Sequence, residues 1–466
     1  MQSFFMHGNI RVIVPVYRIL TEGAGDDRMK EVRNLRNIVR DLCDVAGILK
    51  KYRQERNGKQ MIKAAVLGFG TVGSGVVELF DINRSSVARR VPEGVEVKYI
   101  LDLREFPGSP YADRVVHDYD IILNDPEIRV ICETMGGKEP AFTFSKKALE
   151  KGISVCTSNK ELVAAHGPEL LKIAQEHNCS YLFEASVGGG IPIIRPMNTS
   201  LAPEYITQII GILNGTTNYM MTRMEQEDIS FEDVLRQAQD NGYAEKNPEA
   251  DIEGHDACRK IAILSSLMCG KTVRYEDIPC EGISHISMTD VAYARSMGRA
   301  IKLLGISERD EEAGTFYVRT APYMVPASHP LHGVEDVFNA VFVHGNLVDN
   351  VMFYGRGAGK FPTASAVVSD MLDCALNIGQ TIPVRWTDEV MLLSDAAQKV
   401  ERWFVRVDAA EAEKVKALFD GCETVTAPKA PADETAFTTA PMTEAAFAEK
   451  IAQLAGVKST IRLLEA

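Results

Sequence analysis

Residues 62–73 run Ile-Lys-Ala-Ala-Val-Leu-Gly-Phe-Gly-Thr-Val-Gly. A short, mostly apolar run closed by glycine suits a strand buried on both faces. Gly-x-Gly-x-x-Gly alone is weak evidence, but here it follows a predicted strand and opens a helix over residues 72–80. Gly68 permits the tight turn, Gly70 lets backbone approach a pyrophosphate, and Gly73 lets helix and strand pack closely. The helix N-terminus then favours phosphate charge. The order repeats downstream: strands at 95–101, 130–134, 153–157 and 181–184 alternate with helices at 141–151 and 161–177. Such alternation predicts an α/β, doubly wound parallel sheet of Rossmann type.

The texture changes after residue 186. Strands are expected at 206–213 and 314–321, helices at 218–225, 230–240, 291–304 and 364–378, and a hairpin over 334–351 turning at Gly345-Asn346. These elements read as an α+β domain. Residues 402–466 read strand, helix, strand, strand, helix, strand, a ferredoxin-like βαββαβ unit. Residues 1–60 are locally basic, with a possible amphipathic helix over 29–52, and read as an extension outside the core.

The net charge of −13 at pH 7 argues against a nucleic-acid surface. No apolar run reaches the roughly 18 residues a membrane span needs. None of the nine cysteines forms a C-x-x-C pair, which points to reduced core thiols in a cytoplasmic protein.

Four stretches carry chemistry. Asp102, at the end of the second predicted strand, suits a ribose 2′-hydroxyl and hence NAD, whereas Arg104 suits a 2′-phosphate and hence NADP; the sequence leaves both open. Lys160, just past a parallel strand, faces the crevice where such sheets bind ligands, or caps the strand at the surface. Glu184 and the glycines at 188–190 offer oxygen ligands for a monovalent cation, though composition alone favours a tight turn. Residues 242–260 place Glu245 and Asp251 on a loop above a buried helix that opens with Asp256 and Lys260, one turn apart on one side. A buried ion pair rarely adds net stability. Burial lowers a lysine pKa and neighbouring carboxylates raise it, so a lysine held there can be poised for proton transfer.

From residue 61 to about 378, ordered motifs resemble the homoserine dehydrogenase family. They include the glycine loop, Glu133-Thr-Met-Gly-Gly, Thr-Ser-Asn-Lys160, Phe-Glu184-Ala-Ser-Val-Gly-Gly-Gly-Ile-Pro and Gly211-Ile-Leu-Asn-Gly-Thr-Thr-Asn-Tyr219. Gly-Tyr-Ala-Glu245, Asp-Ile-Glu-Gly-His-Asp256-Ala-Cys-Arg-Lys260 and Gly-Arg-Gly-Ala-Gly359 complete the series. The resemblance implies NAD(P)-dependent interconversion of L-homoserine and L-aspartate 4-semialdehyde, on the route to threonine and methionine, by a homodimer or homotetramer. Lys260 then matches the proton donor and acceptor, with Asp256 assisting, and Glu245 the binder of the substrate amine. Lys160 is shared between substrate and cofactor. Gly68, Phe69, Gly70, Thr71, Val72, Gly73, Thr134, Gly242 and Gly359 match cofactor-contacting positions, beside Asp102 and Arg104. Glu184 matches a sodium ligand, with Val187, Gly189 and Ile191 supplying backbone oxygens; Asp251 has no matching role. The implied division is a nucleotide-binding domain at 61–190, a catalytic and dimerisation domain at 191–335, and a returning segment at 336–390 that completes the first. An ACT-like module follows at 400–466. It departs from the amino-acid-sensing pattern, because Val407-Asp-Ala-Ala-Glu stands where Asp-x-x-Gly is usual. Leu101 and Asn247 also depart, standing where arginine and aspartate are frequent. The surviving alternatives are a related dehydrogenase for another small amino acid and a non-catalytic nucleotide sensor.

Overall fold

The computed structural model describes residues 61–465 apart from Lys429, so the expected N-terminal extension and its helix lie outside the described residues. Residues from Ile62 onward form one compact unit. Its first sheet contains β1 (Ile62–Leu67), β2 (Val95–Leu101), β3 (Val115–Val116), β4 (Ile128–Glu133), β5 (Ser154–Thr157) and β6 (Tyr181–Leu182). These are all parallel, in the order β3-β2-β1-β4-β5-β6, the doubly wound order with its switch point between β1 and β4.

Five helices frame the crevice and the second layer: α1 (Thr71–Ile82), α2 (Lys160–Glu176), α3 (Gly215–Glu227), α4 (His255–Cys269) and α5 (Lys360–Leu376). Strand β1 explains the layering. Ala64 and Val66 pack with Val76, Val77 and Phe80 of α1 and Val367 and Met371 of α5. Ala65 and Leu67 pack on the other face with Leu162, Val163 and Leu170 of α2. Both faces are covered, which is why the strand sequence is nearly all apolar. A helix at Arg84–Arg90 lengthens the path from the glycine loop to Asp102.

The second sheet contains β7 (Ile206–Ile212), β8 (Arg299–Asp310), β9 (Thr315–Pro326), β10 (Phe338–Gly345), β11 (Asp349–Arg356), β12 (Val400–Asp408), β13 (Glu423–Val425), β14 (Glu434–Thr438), β15 (Met442–Thr443) and β16 (Val457–Leu463). Its order is β11-β10-β7-β8-β9-β16-β12-β14-β13, with β15 beside β12. The expected helix at 291–304 ends early: helix Met288–Ser296 is followed by Gly298 at φ +65°, and β8 takes the remainder. Glycine is the residue that turns the chain there without strain. Likewise β6 stops at Leu182 and Glu184–Ser186 form a 3-10 turn, where a strand through 184 is expected. Strands β10 and β11 pair within the second sheet, whereas α5 packs on the first.

Apart from the two-residue β15, the elements from β12 onward keep the βαββαβ order, with sheet order β16-β12-β14-β13. Trp403, Phe419, Phe437 and Phe447 fill its core. It does not stand apart, because β16 runs parallel to β9, pairing Arg462 with Tyr323 and Leu463 with Met324. Under that junction, Arg319 reaches Glu281 and Glu444, while Arg462 reaches Glu281, Glu401 and Glu444 at 2.8–3.1 Å.

Candidate active site

The glycine loop occupies the turn from β1 into α1. Gly68 has φ +92°, which explains glycine there. A side chain on Gly73 would stand 1.9 Å from the Gly68 carbonyl and 2.8 Å from Thr134 Oγ1. Gly70, by contrast, faces open space. It caps α1 without a side-chain hydrogen bond, and the first turn carries no acidic residue. The N–H groups of that turn, around Thr71, Val72 and Gly73, therefore have no partner among the described residues and suit an anion such as a pyrophosphate. Thr134, beyond β4, secures the loop by donating from Oγ1 to the carbonyls of Leu67 and Gly68 at 3.0 and 2.9 Å. These observations fit a dinucleotide.

Asp102 lies beside that turn. Its carboxylate accepts the Phe69 N–H at 2.8 Å and the Arg104 guanidinium at 2.9 and 3.0 Å. The Arg104 hydrogen bonds hold its pKa well below the usual carboxylate range. Both candidates for reading the ribose are therefore engaged with each other.

At the C-terminal end of β5, Asn159 caps α2 through the Leu162 N–H, so Lys160 begins the helix facing the crevice. The helix carries it to the second half of the molecule. Lys160 Nζ lies 2.7 Å from Asp256 Oδ1, and Lys260 Nζ donates to Asp256 Oδ2 at 2.6 Å. One carboxylate thus joins two lysines, one from each sheet layer. Asp256 and Lys260 are 4% and 9% exposed. The two lysines outweigh the burial that would raise the Asp256 pKa, and hold it far below the ordinary carboxylate range. Asp256 in turn raises the Lys160 pKa against burial. Lys260 also donates to the Leu213 carbonyl at 2.8 Å. An ammonium has three donors, so among the described residues one N–H of Lys260 is left over.

Two neighbours carry no sign of their role in the sequence. Asn214 caps α3 through the Thr217 N–H, and its amide nitrogen donates to Asp251 at 2.7 Å and Asp256 at 2.8 Å. Asparagine between a strand and Gly-Thr-Thr is an N-cap signal, but nothing in that signal gives its second role. Asp251 belongs to the cluster: burial first, and then Asp256, raise its pKa. Glu245 is exposed on the loop after Gly242, which has φ +73°, and among the described residues only its carbonyl is engaged, by Gln239.

Glu184 is buried, and its carboxylate accepts the N–H groups of Ile193, Ile194 and Arg195 at 2.6–2.8 Å. It caps the start of helix Ile194–Asn198, so its side-chain oxygens are spoken for. Gly188 and Gly189 have positive φ, and a side chain on Gly189 would strike the Gly357 carbonyl. The segment is thus a tight turn in which the carbonyls of Val187, Gly189 and Ile191 accept no bond from a described residue. Gly359, at φ +123°, precedes α5.

Comparison with known proteins agrees with this arrangement. Residues 68–184 match the homoserine dehydrogenase NAD-binding domain model, and residues 192–372 match the homoserine dehydrogenase model. Homoserine dehydrogenase of Synechocystis sp. is 44% identical over 317 residues, 67% of this chain and 73% of that protein. The Bacillus subtilis protein of the same name is 40% identical over 68% of this chain and 73% of its own length. Among solved structures, a homoserine dehydrogenase from Thiobacillus denitrificans superposes with a TM-score of 0.79 at 30% identity, covering 87% of this chain and 99% of that one. A hyperthermophilic archaeal homoserine dehydrogenase mutant, solved in complex with NADPH, gives 0.59 at 26% identity over 70% and 99%. Glycine turn, crevice lysine and buried Asp–Lys pair therefore stand in a chain that belongs to the homoserine dehydrogenase family.

Proposed function

We propose that Lys260 exchanges the proton at the substrate's hydroxyl oxygen as L-homoserine and L-aspartate 4-semialdehyde interconvert, and that Asp256 sets its position. The observation that carries this is the Asp256 carboxylate held between Lys160 and Lys260 at 2.7 and 2.6 Å. It ties the crevice of the nucleotide-binding sheet to the buried helix of the second layer, where substrate and cofactor must meet. The unshared N–H of Lys260 is the one available to a substrate oxygen. Glu245 and Asp251 present negative charge to the substrate's ammonium group, and Lys160 presents positive charge to its carboxylate or to the cofactor.

NAD or NADP would be held by the turn from Gly68 to Gly73, by Thr134, Gly242 and Gly359, and by Asp102 and Arg104. Bound there, it supplies the hydride acceptor and donor. With Arg104 on Asp102, the ribose 2′-hydroxyl has a carboxylate to bond; with Arg104 released, a 2′-phosphate has a guanidinium. Both cofactors are thus admitted, and this ion pair decides their ratio. A sodium ion would be held by main-chain carbonyls at 184, 187, 189 and 191, fixing the turn beneath the site. Residues 61–190 with the 336–390 return, 191–335, and 400–466 are taken as the functional divisions, in a cytoplasmic homodimer or homotetramer. Free thiols at all eight described cysteines suit that compartment.

The test is a steady-state assay of the purified full chain with homoserine and other hydroxy amino acids, with NAD and with NADP. Homoserine should be preferred, and Glu245→Gln should raise its KM with little change in kcat. A Glu245→Gln enzyme with unaltered KM would remove that residue from the site.

A further inference from the structure

The end of β2 carries a second cation–carboxylate pair that the proposed cofactor contacts leave unused. Strand β3 runs beside β2, pairing Leu101 with Val116, and the Asp102 N–H donates to the Val116 carbonyl at 3.2 Å. The next residue, His117, therefore stands alongside Asp102. Its Nδ1 lies 2.7 Å from the Asp102 carbonyl oxygen, and its Nε2 lies 2.8 Å from Glu105 Oε1. Neither a carbonyl nor a carboxylate oxygen carries a hydrogen, so both ring nitrogens must donate, and only the imidazolium does that. The bond to the Asp102 carbonyl, and then the Glu105 carboxylate, raise the His117 pKa above its ordinary value.

The loop that follows β2 holds these groups against the glycine turn. Arg104 lies over the Phe106 ring at 5.2 Å, and Phe106 meets Phe69 edge-on at 4.9 Å. Asp102 with Arg104, and Glu105 with His117, thus form two ion pairs at the strand end where such sheets read the ribose 2′ position. The second pair is open to water, its His117 and Glu105 side chains being 47% and 78% exposed. An exposed pair is held weakly, so the histidine can exchange this carboxylate for another anion at little cost. The charges on its own segment are placed otherwise. Arg114 turns back to the Val97 carbonyl at 3.2 Å, Asp118 accepts the Asp120 N–H at 2.9 Å, and Asp113 is exposed.

On the reading that Asp102 and Arg104 meet the ribose, on which this rests, we propose that His117 is a second cation for the 2′-phosphate of NADP, so that the preference for NADP over NAD falls as pH rises and the imidazolium is lost. With His117 protonated, Arg104 and His117 balance the carboxylates of Asp102 and Glu105. With His117 neutral, one net negative charge faces the 2′ position. That charge repels a 2′-phosphate and leaves a 2′-hydroxyl indifferent. Of the two ring nitrogens, Nε2 is the donor held only by an exposed carboxylate, and it is the one that changes partner. Nδ1 stays on the Asp102 carbonyl and keeps the ring beside the strand end.

Calorimetric binding of NADP and of NAD to the full chain without substrate, from about pH 6.5 to about 8.5, spans the histidine range and tests this. A phosphate monoester has lost its second proton above about pH 6, and contributions common to both cofactors cancel in the ratio of their dissociation constants. The wild-type preference for NADP should fall roughly 3- to 10-fold across that range, the low side for a charged hydrogen bond because the site faces water. His117→Asn should show the low preference at every pH, and His117→Lys the high one, since lysine stays charged throughout. His117 is exposed, so both variants should fold. A wild-type preference that is constant or rises with pH, or a slope that survives in either variant, would overturn the assignment. Arg104→Ala separates the two readings. If it leaves the preference unmoved, the loop does not meet the ribose and both fall; a lowered preference in Arg104→Ala beside a flat wild-type profile removes His117 alone.

Discussion

Replacing Asp256 with Asn removes one charge and almost no volume. The carboxylate accepts Lys260 and Asn214 on Oδ2 and Lys160 on Oδ1. An amide has one acceptor oxygen, so its NH2 must face a lysine. If it faces Lys160, that ammonium meets a donor and swings to solvent, which its 36% side-chain exposure permits. If it faces Lys260, the buried ammonium keeps only the Leu213 carbonyl. Removing one partner of a buried ion pair costs about 3–5 kcal/mol, and the lower end applies because Lys160 can reach water. The catalytic loss is larger than the stability loss implies, because both lysines lose their common reference. We expect kcat/KM for homoserine to fall on the order of 10²–10⁴-fold, measured from the growth of reduced-cofactor absorbance, and the urea midpoint to fall in the same preparation. A folded Asp256→Asn enzyme with kcat/KM within about threefold of wild type would show that the shared carboxylate does not position the lysines.

Arg104→Ala should raise the KM for NADP far more than that for NAD, because Asp102 alone then meets the 2′ position; equal effects would mean that the pair does not read the ribose. Glu133 is buried at the end of β4, and burial raises its pKa to about 7. Its folded pKa exceeds the unfolded one, so its contribution is fully present below pH ~4.3 and is lost as pH rises through 7, roughly 3 kcal/mol in all. Glu133→Gln should flatten that slope in urea titrations across the window. Arg462→Met leaves Glu281, Glu401 and Glu444 short of a partner, so stability should drop by about 3–5 kcal/mol; limited proteolysis should then cut between β9 and β12.

The first sheet was legible because its signals are local. Gly68, Gly70 and Gly73 sit beside the strand they follow, and most of the strands are short runs rich in apolar residues; the two-residue β3 gives no such signal. The stretch at 299–304 failed for the opposite reason. Arg-Ala-Ile-Lys-Leu-Leu has no clear period, and only the pairing of β8 with β9 settles it as strand. In the site, Asp256 and Lys260 were readable from their i, i+4 spacing. That Lys160 shares the same carboxylate across 96 residues was not readable, nor was the role of Asn214, because both depend on how two layers dock. Glu184 shows the converse limit. Its carboxylate looked available beside the glycines, but three N–H groups of a short helix downstream consume it.

The most direct test of the proton-transfer assignment is turnover of Lys260→Ala with homoserine and saturating cofactor. Loss of the positioned acid–base group predicts a fall in kcat on the order of 10²–10⁴-fold while cofactor binding, followed by fluorescence titration, is retained. Turnover near the wild-type rate in that variant would rule Lys260 out as the group that moves the proton.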